Sequence, residues 1–345
     1  MLKFMLASLC SHVYAPQFKP PSSRSSTQTA RTPMKIVFYS PGKNPQRWQD
    51  CLADHMPAAE LWPWTRECAN RQADYAVVWV PPLELFQTQH KLKAVFVLGA
   101  GADRITMQPE VSRLLNGTAI VRLNDAGMAV QMAEYVCHAL FRHAREFAVY
   151  AAQQRQQEWK TRPEIDRTAW PVGVMGLGAM GERVARSVAS FEYPTFGWSR
   201  TPKTLPGVTT FSGQESLDEF LSRVRVLVCV LPLTVATRGI LNARTLGRLK
   251  SPGYLINVAR GAHLVETDLL ALLDGGKLAG ATLDVFGEEP LSVTHPFWMH
   301  PRIDLTPHIS AITLREESIR QIAEKIHALE QGKPIEGVVS MGRGY

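Results

Sequence analysis

The sequence of 345 residues lacks the features of disulfide-rich, metal-binding and membrane proteins. Its five cysteines are scattered and contain no Cys-x-x-Cys pair, whereas a disulfide framework or a zinc site needs paired spacing. The longest strongly apolar run, Val226–Leu233, is far shorter than the roughly 18–20 residues of a membrane helix. We therefore expect a soluble protein of a reducing, cytoplasmic compartment, with no metal and no membrane partner.

A basic cluster is also lacking, although the formal net charge is +7. Residues 1–33 contribute four positive charges and no acidic residue, so residues 34–345 carry only +3, with both signs interspersed. A nucleic-acid-binding surface concentrates its basic residues on one stripe. We therefore expect no nucleic-acid partner.

The first 33 residues are predicted to be an N-terminal extension outside the fold. They contain six serines, four prolines and a short apolar segment, Phe4–Cys10, behind Lys3. This composition is weakly similar to a targeting peptide. Met34 leads directly into a strand pattern, which is equally consistent with a start site assigned too far upstream. The segment is thus interpreted as disordered or misassigned.

From Met34 onward, short β-rich runs alternate with helical stretches, in two series. The first series of strands is Lys35–Tyr39, Asp74–Val80, Lys93–Leu98 and Ala119–Leu123. The second is Val172–Gly176, Thr195–Trp198, Val224–Leu231, Gly253–Ala259, Gly280–Phe286 and Ile303–Thr306. Short apolar strands separated by helices predict parallel sheets covered on both faces. The fold class is therefore α/β, with two Rossmann-like, doubly wound parallel-sheet domains.

The second series, within residues 128–315, is predicted to form a larger domain inserted into a smaller flavodoxin-like domain, residues 34–127 and 316–345. One long helix is predicted over 128–159, as a spacer, a dimer arm or an ordinary core helix. Its apolar face is Met132, Val136, Ala139, Leu140, His143 and Phe147. A second helix is predicted from an N-cap at Thr267 to a stop at Gly275.

A glycine-rich turn follows the first strand of the second series. It reads Gly176-Leu177-Gly178-Ala179-Met180-Gly181, and a helix is predicted from Glu182. A G-x-G-x-x-G turn between a strand and a helix brings backbone N–H groups close to a pyrophosphate. The turn therefore predicts dinucleotide binding.

The end of the next strand predicts which dinucleotide is bound. NAD sites place an acidic residue there for the ribose 2′-hydroxyl, whereas NADP sites carry cations. No Asp or Glu occurs between Tyr193 and Phe211, and Ser199, Arg200 and Lys203 follow the strand. Arg200 can pair with a 2′-phosphate in a bidentate manner. We therefore expect NADP(H).

Three polar residues, Arg260, Glu289 and His308, each follow a strand of the second series. In an open α/β sheet, ligands bind outside the carboxyl ends of the strands, so the three side chains could converge on one crevice. Each alone is consistent with an ordinary loop residue. Together with a dinucleotide turn, they are the groups that a carbonyl reductase needs.

These motifs resemble the D-2-hydroxyacid dehydrogenase family over essentially residues 34–345. The resemblance implies that residues 128–315 are the NADP-binding cofactor domain and that residues 34–127 and 316–345 are the substrate domain. The shared motifs are the glycine turn, Asn257-Val-Ala-Arg-Gly261, Asp284-Val-Phe-x-x-Glu-Pro290 and Thr306-Pro-His308. Within the family the chain is most similar to the glyoxylate/hydroxypyruvate reductase A branch. That finer resemblance rests on Trp79-Val-Pro-Pro, Leu98-Gly-Ala-Gly-Ala-Asp103, Trp198-Ser-Arg, Pro307-His-Ile-Ser-Ala-Ile-Thr313 and Arg343-Gly-Tyr345.

The resemblance implies roles for these residues. His308 would be the general acid, and Glu289 would help to keep its imidazole protonated at neutral pH. Arg260 would bind the substrate carboxylate and polarise the ketone. The implied substrate contacts are Trp79, Gly99, Ala100, Gly101 and Trp298. The implied cofactor contacts beyond the glycine turn are Leu231, Pro232, Val258, Ala259, Asp284 and His308. The two tryptophans are equally consistent with core positions, and Asp284 with a buried structural carboxylate.

The expected function is NADPH-dependent reduction of glyoxylate and hydroxypyruvate to glycolate and glycerate, by a homodimer. One alternative is another D-2-hydroxyacid dehydrogenase with a different 2-oxo acid. A second alternative, from another class, is a non-enzymatic, dinucleotide-sensing corepressor on the same scaffold.

Overall fold

The computed structural model describes residues 33–340. The expectations for residues 1–32 and for Arg343-Gly-Tyr345 lie outside the described residues. Between residues 33 and 340 the chain folds into two parallel sheets flanked by helices, which confirms the predicted fold class. In this part of the chain no helix combines the length and the apolar character needed to cross a bilayer.

The first sheet has five parallel strands in the order β2-β1-β3-β4-β5, which is the flavodoxin-like order. The strands are β1 (Lys35–Tyr39), β2 (Glu60–Pro63), β3 (Tyr75–Val78), β4 (Ala94–Val97) and β5 (Ala119–Arg122). The central strands β3 and β4 are buried over their whole length. Such burial is typical of a parallel sheet with helices on both faces.

The second sheet has seven parallel strands in the order β12-β11-β10-β9-β6-β7-β8. The strands are β6 (Val172–Met175), β7 (Thr195–Ser199), β8 (Thr209–Ser212), β9 (Val226–Cys229), β10 (Gly253–Asn257), β11 (Leu278–Leu283) and β12 (Ile303–Leu305). The strand order reverses between β6 and β9. In doubly wound sheets, ligands bind at the carboxyl ends of the strands at such a reversal.

The helices cover these sheets and join them. They are α1 (Pro45–His55), α2 (Leu83–Thr88), α3 (Asp103–Thr106), α4 (Pro109–Leu114), α5 (Met128–Ala144), α6 (Phe147–Arg155), α7 (Ala179–Ser190), α8 (Leu217–Arg223), α9 (Ala243–Gly247), α10 (Glu266–Asp274) and α11 (Arg315–Glu330). Helix α5 packs along α7, and α11 packs along α1. Buried residues of both sheets, α5, α7 and α11 belong to one hydrophobic cluster, so the two sheets share part of their core.

The chain passes to the second sheet along α5 and returns to the first sheet through α11. Tyr75 on β3 donates to Glu330 at the end of α11, with 2.6 Å between Oη and Oε1. Beyond α11, the Val339 N–H donates to the Ile120 carbonyl on β5 at 2.8 Å. We call the five-stranded sheet with its helices the first unit, and the seven-stranded sheet with its helices the second unit. The second unit is thus inserted between two parts of the first, as predicted. The residue boundaries of the two domains stay a prediction.

The single long helix predicted over 128–159 is wrong. Helix α5 ends at Ala144, and the separate helix α6 ends at Arg155. Glu146 between them has a left-handed backbone with φ +51°, and its carboxylate accepts two hydrogen bonds from Arg162, at 2.6 and 2.9 Å. This ion pair holds the break, although the local sequence contains neither glycine nor proline. Phe147 consequently lies 46% exposed instead of on the buried face.

Two strands and two helix starts differ from the sequence predictions. The missed strands, β2 and β8, are edge strands: β2 ends in Pro63, which an edge tolerates, and β8 contains no fully buried residue. Helix α10 begins at Glu266 with Val265 as its N-cap, so Thr267 lies inside the first turn; Gly275 ends the helix as predicted. Helix α7 begins at Ala179, three residues before the predicted start.

Candidate active site

The glycine-rich turn connects β6 to α7 at the reversal of strand order. Gly176 has φ +99°, and a Cβ there would lie 2.8 Å from the Val230 carbonyl oxygen at the end of β9. A Cβ on Gly181 would collide with the carbonyl oxygen of Gly176. Both glycines are therefore required by the fold of the turn. Its close approach to β9 places Leu231 and Pro232 beside it.

The start of α7 offers an anion site that fits a dinucleotide diphosphate. Gly178 is the N-cap, and a Cβ added there would meet nothing within 4 Å, so the backbone faces open space. The first N–H groups of a helix have no partner within the helix and attract phosphates. The predicted members of the turn, Gly176–Gly181, thus form one cradle, with Leu177 packed in the core and Ala179 exposed.

The residues predicted to select NADP(H) lie where β7 ends. Ser199 is the last residue of β7, and its hydroxyl donates to the Thr201 carbonyl at 2.7 Å. Arg200 and Lys203 are exposed in the loop that follows. The loop is on the carboxyl edge of the sheet, next to the glycine turn, as an NADP ribose site requires. Their role in phosphate binding stays a prediction.

Arg260 follows β10 and is held by an aspartate from the first unit. Its Nη2 and Nε lie 3.0 and 3.1 Å from Asp103 Oδ1, and its Nη1 donates to the Ala259 carbonyl at 2.7 Å. Asp103 opens α3 and is only 8% exposed. A Cβ on Gly101 would collide with the guanidinium, so the glycine turn after β4 lies directly against Arg260. The ion pair therefore fixes the orientation of Arg260 across the two units.

His308 and Glu289 form the second ion pair of the site. His308 Nδ1 lies 2.9 Å from Glu289 Oε2, and the Phe286 N–H donates to Glu289 Oε1 at 3.0 Å. Burial alone would raise the pKa of Glu289, but the hydrogen bonds from His308 and Phe286 outweigh it and lower this pKa below its usual range. The Glu289 carboxylate is therefore ionised and accepts a hydrogen bond from Nδ1 of His308. Glu289 thus occupies Nδ1 of His308, and Nε2 is the ring nitrogen that this pair does not engage.

Asp284 anchors the turn that carries His308. It is fully buried, and its Oδ1 accepts from the Thr306 hydroxyl at 2.6 Å and from the Ile309 N–H at 2.8 Å. Its Oδ2 accepts from the Ser310 N–H at 2.8 Å. These bonds stabilise the left-handed backbone of His308, which has φ +56°. The sequence left two interpretations of Asp284 open, a cofactor contact and a buried structural carboxylate. The observed contacts are those of a structural carboxylate.

A cavity of about 370 Å³ between the two sheets brings together most of the predicted catalytic and substrate-contacting residues. The first unit contributes the loop after β1, the end of β3 and the glycine turn after β4, and the second contributes the ends of β10 and β12. The predicted residues that line it are Trp79, Gly99, Ala100, Gly101, Met180, Val258, Arg260 and His308. Trp298 does not line it: the indole is half exposed and donates to the Ser292 carbonyl at 2.9 Å.

Sequence reasoning missed two charged residues of this site. Asp103 is the last residue of the motif Leu98-Gly-Ala-Gly-Ala-Asp103, which served only for the family resemblance. Its position directly after a glycine-rich strand end could have indicated a site residue. Lys43, in the loop between β1 and α1, lines the cavity and carried no signal in the sequence. Its placement depends on contacts between distant segments.

A group that could hold a metal ion lies away from this cavity, between α1 and α11. Glu316 accepts from the Cys51 thiol at 3.0 Å and pairs with His55 Nε2 at 2.8 Å. The sequence prediction of no metal cluster did not foresee it, because Glu316 is distant in sequence. Arg47 and Arg315 line the adjoining cavity together with Asp50, Asp54 and Glu316, so arginines already compensate the carboxylates there. We therefore interpret the group as a polar connection between the two helices.

A two-unit α/β fold with a dinucleotide turn and an Arg–Glu–His set is typical of oxidoreductases that use a nicotinamide cofactor. The profile of the NAD-binding domain of D-isomer specific 2-hydroxyacid dehydrogenases matches residues 137–310. The chain belongs to this family.

Individual relatives cover nearly the whole chain. A glyoxylate/hydroxypyruvate reductase A from Yersinia enterocolitica is 43% identical over 314 residues, which are 90% of this chain and 100% of the relative. A D-isomer specific 2-hydroxyacid dehydrogenase from Xanthobacter autotrophicus, solved with NADPH and MES, matches with a TM-score of 0.85 and 35% identity. An NADPH-dependent glyoxylate/hydroxypyruvate reductase from Sinorhizobium meliloti, solved with NADP and sulfate, matches with a TM-score of 0.84 and 34% identity. Both matches cover 91% of this chain and 100% of the relative.

Proposed function

We propose that the protein is an NADPH-dependent reductase of glyoxylate and hydroxypyruvate, which forms glycolate and glycerate. The observation that carries the proposal is the convergence of Arg260 and His308 on one cavity that Met180 of the dinucleotide turn also lines. The activities named for the relatives from Yersinia enterocolitica and Sinorhizobium meliloti support the same substrates.

Arg260 and the glycine turn after β4 hold the 2-oxo acid. The guanidinium pairs with the substrate carboxylate, and Gly99, Ala100 and Gly101 line the same cavity. Because Asp103 fixes the guanidinium, the carboxylate is bound in one orientation. The ketone oxygen is then directed toward His308, where the positive charge of Arg260 also favours the developing alkoxide.

His308 supplies the proton. Bound NADPH supplies the hydride to the carbonyl carbon, and the electron pair of the carbonyl bond moves to the oxygen. His308 Nε2 protonates that oxygen, and Glu289 stabilises the imidazolium before the transfer. The product is the 2-hydroxy acid, and the imidazole regains its proton from solvent.

Arg200, Lys203 and Ser199 are proposed to bind the 2′-phosphate of NADPH. The two cations are exposed at the end of β7, beside the diphosphate cradle. Charge-assisted hydrogen bonds to phosphate are stronger than bonds between neutral groups. NADP or NADPH in the related structures from Sinorhizobium meliloti and Xanthobacter autotrophicus supports this choice.

The test is the rate of NADPH oxidation with glyoxylate, hydroxypyruvate and pyruvate as alternative substrates. We expect the two first substrates to have the higher kcat/KM. A higher value for pyruvate would favour a dehydrogenase of another 2-oxo acid. NADPH binding without turnover of any of a wide set of 2-oxo acids would favour the corepressor alternative.

We also propose that the protein is a homodimer, with a second copy covering the apolar surface of α6 and of the segment after it. Phe147, Val149 and Tyr150 are 37–46% exposed, and Trp159 is 99% exposed. Several exposed apolar side chains in one segment of the chain are typical of an interface. Sedimentation analysis of wild type and Trp159→Ser tests the proposal, and a wild-type monomer at micromolar concentration would contradict it. The four described cysteines are free thiols, which supports a cytoplasmic location.

A further inference from the structure

Lys43 places an unpaired positive charge in the wall of the substrate cavity. It lies in the loop between β1 and α1 and lines the same cavity as Arg260 and His308. Among residues 33–340, no carboxylate lies within ion-pairing distance of its ammonium group. The contact that the structure gives it is with the ring of Trp48, whose centroid lies 5.5 Å from Nζ.

The two cations of the cavity are therefore in different electrostatic situations. Arg260 already has a carboxylate partner, because Asp103 holds it through two nitrogens. Lys43 is partly buried without such a partner, and burial together with the charge of Arg315 lowers the pKa of its ammonium group. A partly desolvated charge without a partner is unfavourable, and an anion brought into contact with it relieves this cost.

A one-carboxylate substrate does not use this charge. In the proposed function, Arg260 and the turn Gly99–Gly101 bind the carboxylate of glyoxylate, and Lys43 has no role in that contact. Lys43 is then left for a group at the far end of a longer substrate. A lysine ammonium acts there as a point charge that can reach a carboxylate or a phosphate.

We propose that Lys43 forms an anion subsite and that the enzyme also reduces 2-oxo acids with a second anionic group at the end distal to the 2-oxo acid. This inference rests on the proposed function and extends its substrate class. The chemistry is the same: hydride goes to the carbonyl carbon, a proton from His308 goes to its oxygen, and the second anionic group is bound without reaction.

The test compares substrates matched in chain length. Oxaloacetate and 2-oxobutyrate both have four carbons, and 2-oxoglutarate and 2-oxovalerate both have five, but only the first member of each pair has a second carboxylate. 3-Phosphohydroxypyruvate against hydroxypyruvate tests a distal phosphate. We expect at least one dianion to exceed its partner about 10- to 100-fold in kcat/KM, which is the effect of one charge-assisted hydrogen bond.

Substitution of Lys43 assigns that preference. Lys43→Met keeps most of the side-chain volume and removes the charge, so the dianion-to-monoanion ratio should fall about tenfold or more; Lys43→Arg should retain it. Lys333→Met is the matched control, because Lys333 is exposed and does not line the cavity. Melting temperature and NADPH affinity, measured for every variant, separate misfolding from loss of the subsite.

The outcomes distinguish this inference from the proposed function. Failure of the wild type to reduce any 2-oxo acid contradicts the function itself. Reduction of glyoxylate with dianion-to-monoanion ratios near one in all three pairs overturns the subsite alone. An equal loss for both members of each pair in folded Lys43→Met also overturns it, because Lys43 would then bind the carboxylate that all substrates share.

Discussion

At the scale of single residues, the hydrogen bond between His308 and Glu289 bears on which nitrogen acts in the proposed proton transfer. Glu289 Oε2 lies 2.9 Å from Nδ1, so Nε2 is the nitrogen left for the substrate in that proposal. The hydrogen bond from His308 helps to lower the pKa of Glu289 below its usual range, so the carboxylate stays ionised beside the imidazole.

Glu289→Gln should therefore move the pH dependence of reduction. Glu289→Gln removes the negative charge beside Nδ1 of His308, so the decline of kcat toward high pH should begin at lower pH than in wild type. His308→Ala is the reference without the acid, and its kcat should be lower by about 10²–10⁴ at every pH. The measurement is kcat for glyoxylate as a function of pH, and an identical profile for Glu289→Gln would restrict Glu289 to a structural role.

Asp103 acts through Arg260, and its substitution should affect the two substrates unequally. Asp103→Ala frees the guanidinium, so the KM for the 2-oxo acid should rise about tenfold or more, the effect of losing a charge-assisted hydrogen bond. Asp103→Asn keeps an acceptor oxygen and should recover part of the loss. The KM for NADPH is the internal control, because Asp103 lies in the first unit whereas the proposed NADPH site lies in the second. Equal increases in both KM values would indicate general damage to the fold.

The cations after β7 should decide between NADPH and NADH. Wild type should prefer NADPH about 10- to 100-fold in kcat/KM, because one charge-assisted bond contributes about 1.5–3 kcal/mol. The double variant Arg200→Ala, Lys203→Ala should lose NADPH activity and keep its NADH activity. It should not become an efficient NADH enzyme, because no carboxylate replaces the contact to the ribose hydroxyl. Equal losses with both cofactors, in steady-state kinetics, would place the phosphate elsewhere.

At the scale of elements, the turn between β6 and α7 separates the requirements of folding from those of binding. Gly181→Ala should lower the free energy of unfolding by about 1–3 kcal/mol or more, since its Cβ collides with the backbone of Gly176. Gly178→Ala has open space around the new Cβ and should leave the melting temperature nearly unchanged.

NADPH affinity, measured for Gly178→Ala and Gly181→Ala, also separates the requirements of binding from those of folding. Gly178→Ala should weaken NADPH binding, because its Cβ lies where the diphosphate approaches the start of α7. Thermal unfolding and fluorescence titration with NADPH test the pair. A stable Gly181→Ala, or a Gly178→Ala with wild-type affinity, would contradict the assignment.

The elements that the sequence predicts well are those with a complete local signal. Central strands such as β4 are runs of apolar residues, and the glycine turn has a motif with a mechanical reason for each glycine. The edge strands β2 and β8 lack such runs because one side of each is unpaired. The end of α5 was also missed, because a contact of Glu146 with Arg162, sixteen residues later, defines it.

The candidate site shows the same limit. Arg260, Glu289 and His308 follow strands whose carboxyl ends meet, so topology alone predicts their proximity. The partners that orient or supplement them depend on long-range packing. Asp103 lies 157 residues from Arg260, and the β1–α1 loop brings in Lys43 from the first unit. No spacing rule in one sequence contains that information.

At the scale of the whole molecule, buried histidines should make the fold sensitive to mild acid. His263 is fully buried beneath the Arg260 loop, and burial lowers its pKa to about 4. His143, stacked on Tyr254 at 3.8 Å, has its pKa lowered to about 4 by burial as well. The unfolded chain binds protons at these histidines near pH 6.5, whereas the folded chain does not. Acid therefore favours the unfolded chain.

The free energy of unfolding should thus fall as the pH decreases from about 6.5 to 4, by about 3 kcal/mol for His263. Because its pKa is lowered, Glu289 adds to this loss of stability only below about pH 4.5. The loss between pH 6.5 and 4.5 is therefore due to the histidines. His263→Gln should show a smaller fall, and His90→Gln, at an exposed position, should behave as wild type. Urea unfolding at several pH values is the measurement, and parallel pH profiles for all three proteins would exclude His263.

The return of the chain to its first sheet has a consequence for synthesis on the ribosome. The strands β1–β5 emerge early, but the partner of Tyr75, Glu330, is synthesised 255 residues later. Val339, which bonds to β5, is synthesised later still. The inserted sheet is complete once β12 has emerged, before α11 exists. We therefore expect the cofactor-binding part to become protease-resistant on the nascent chain first, while the earlier strands stay exposed to chaperones until translation ends.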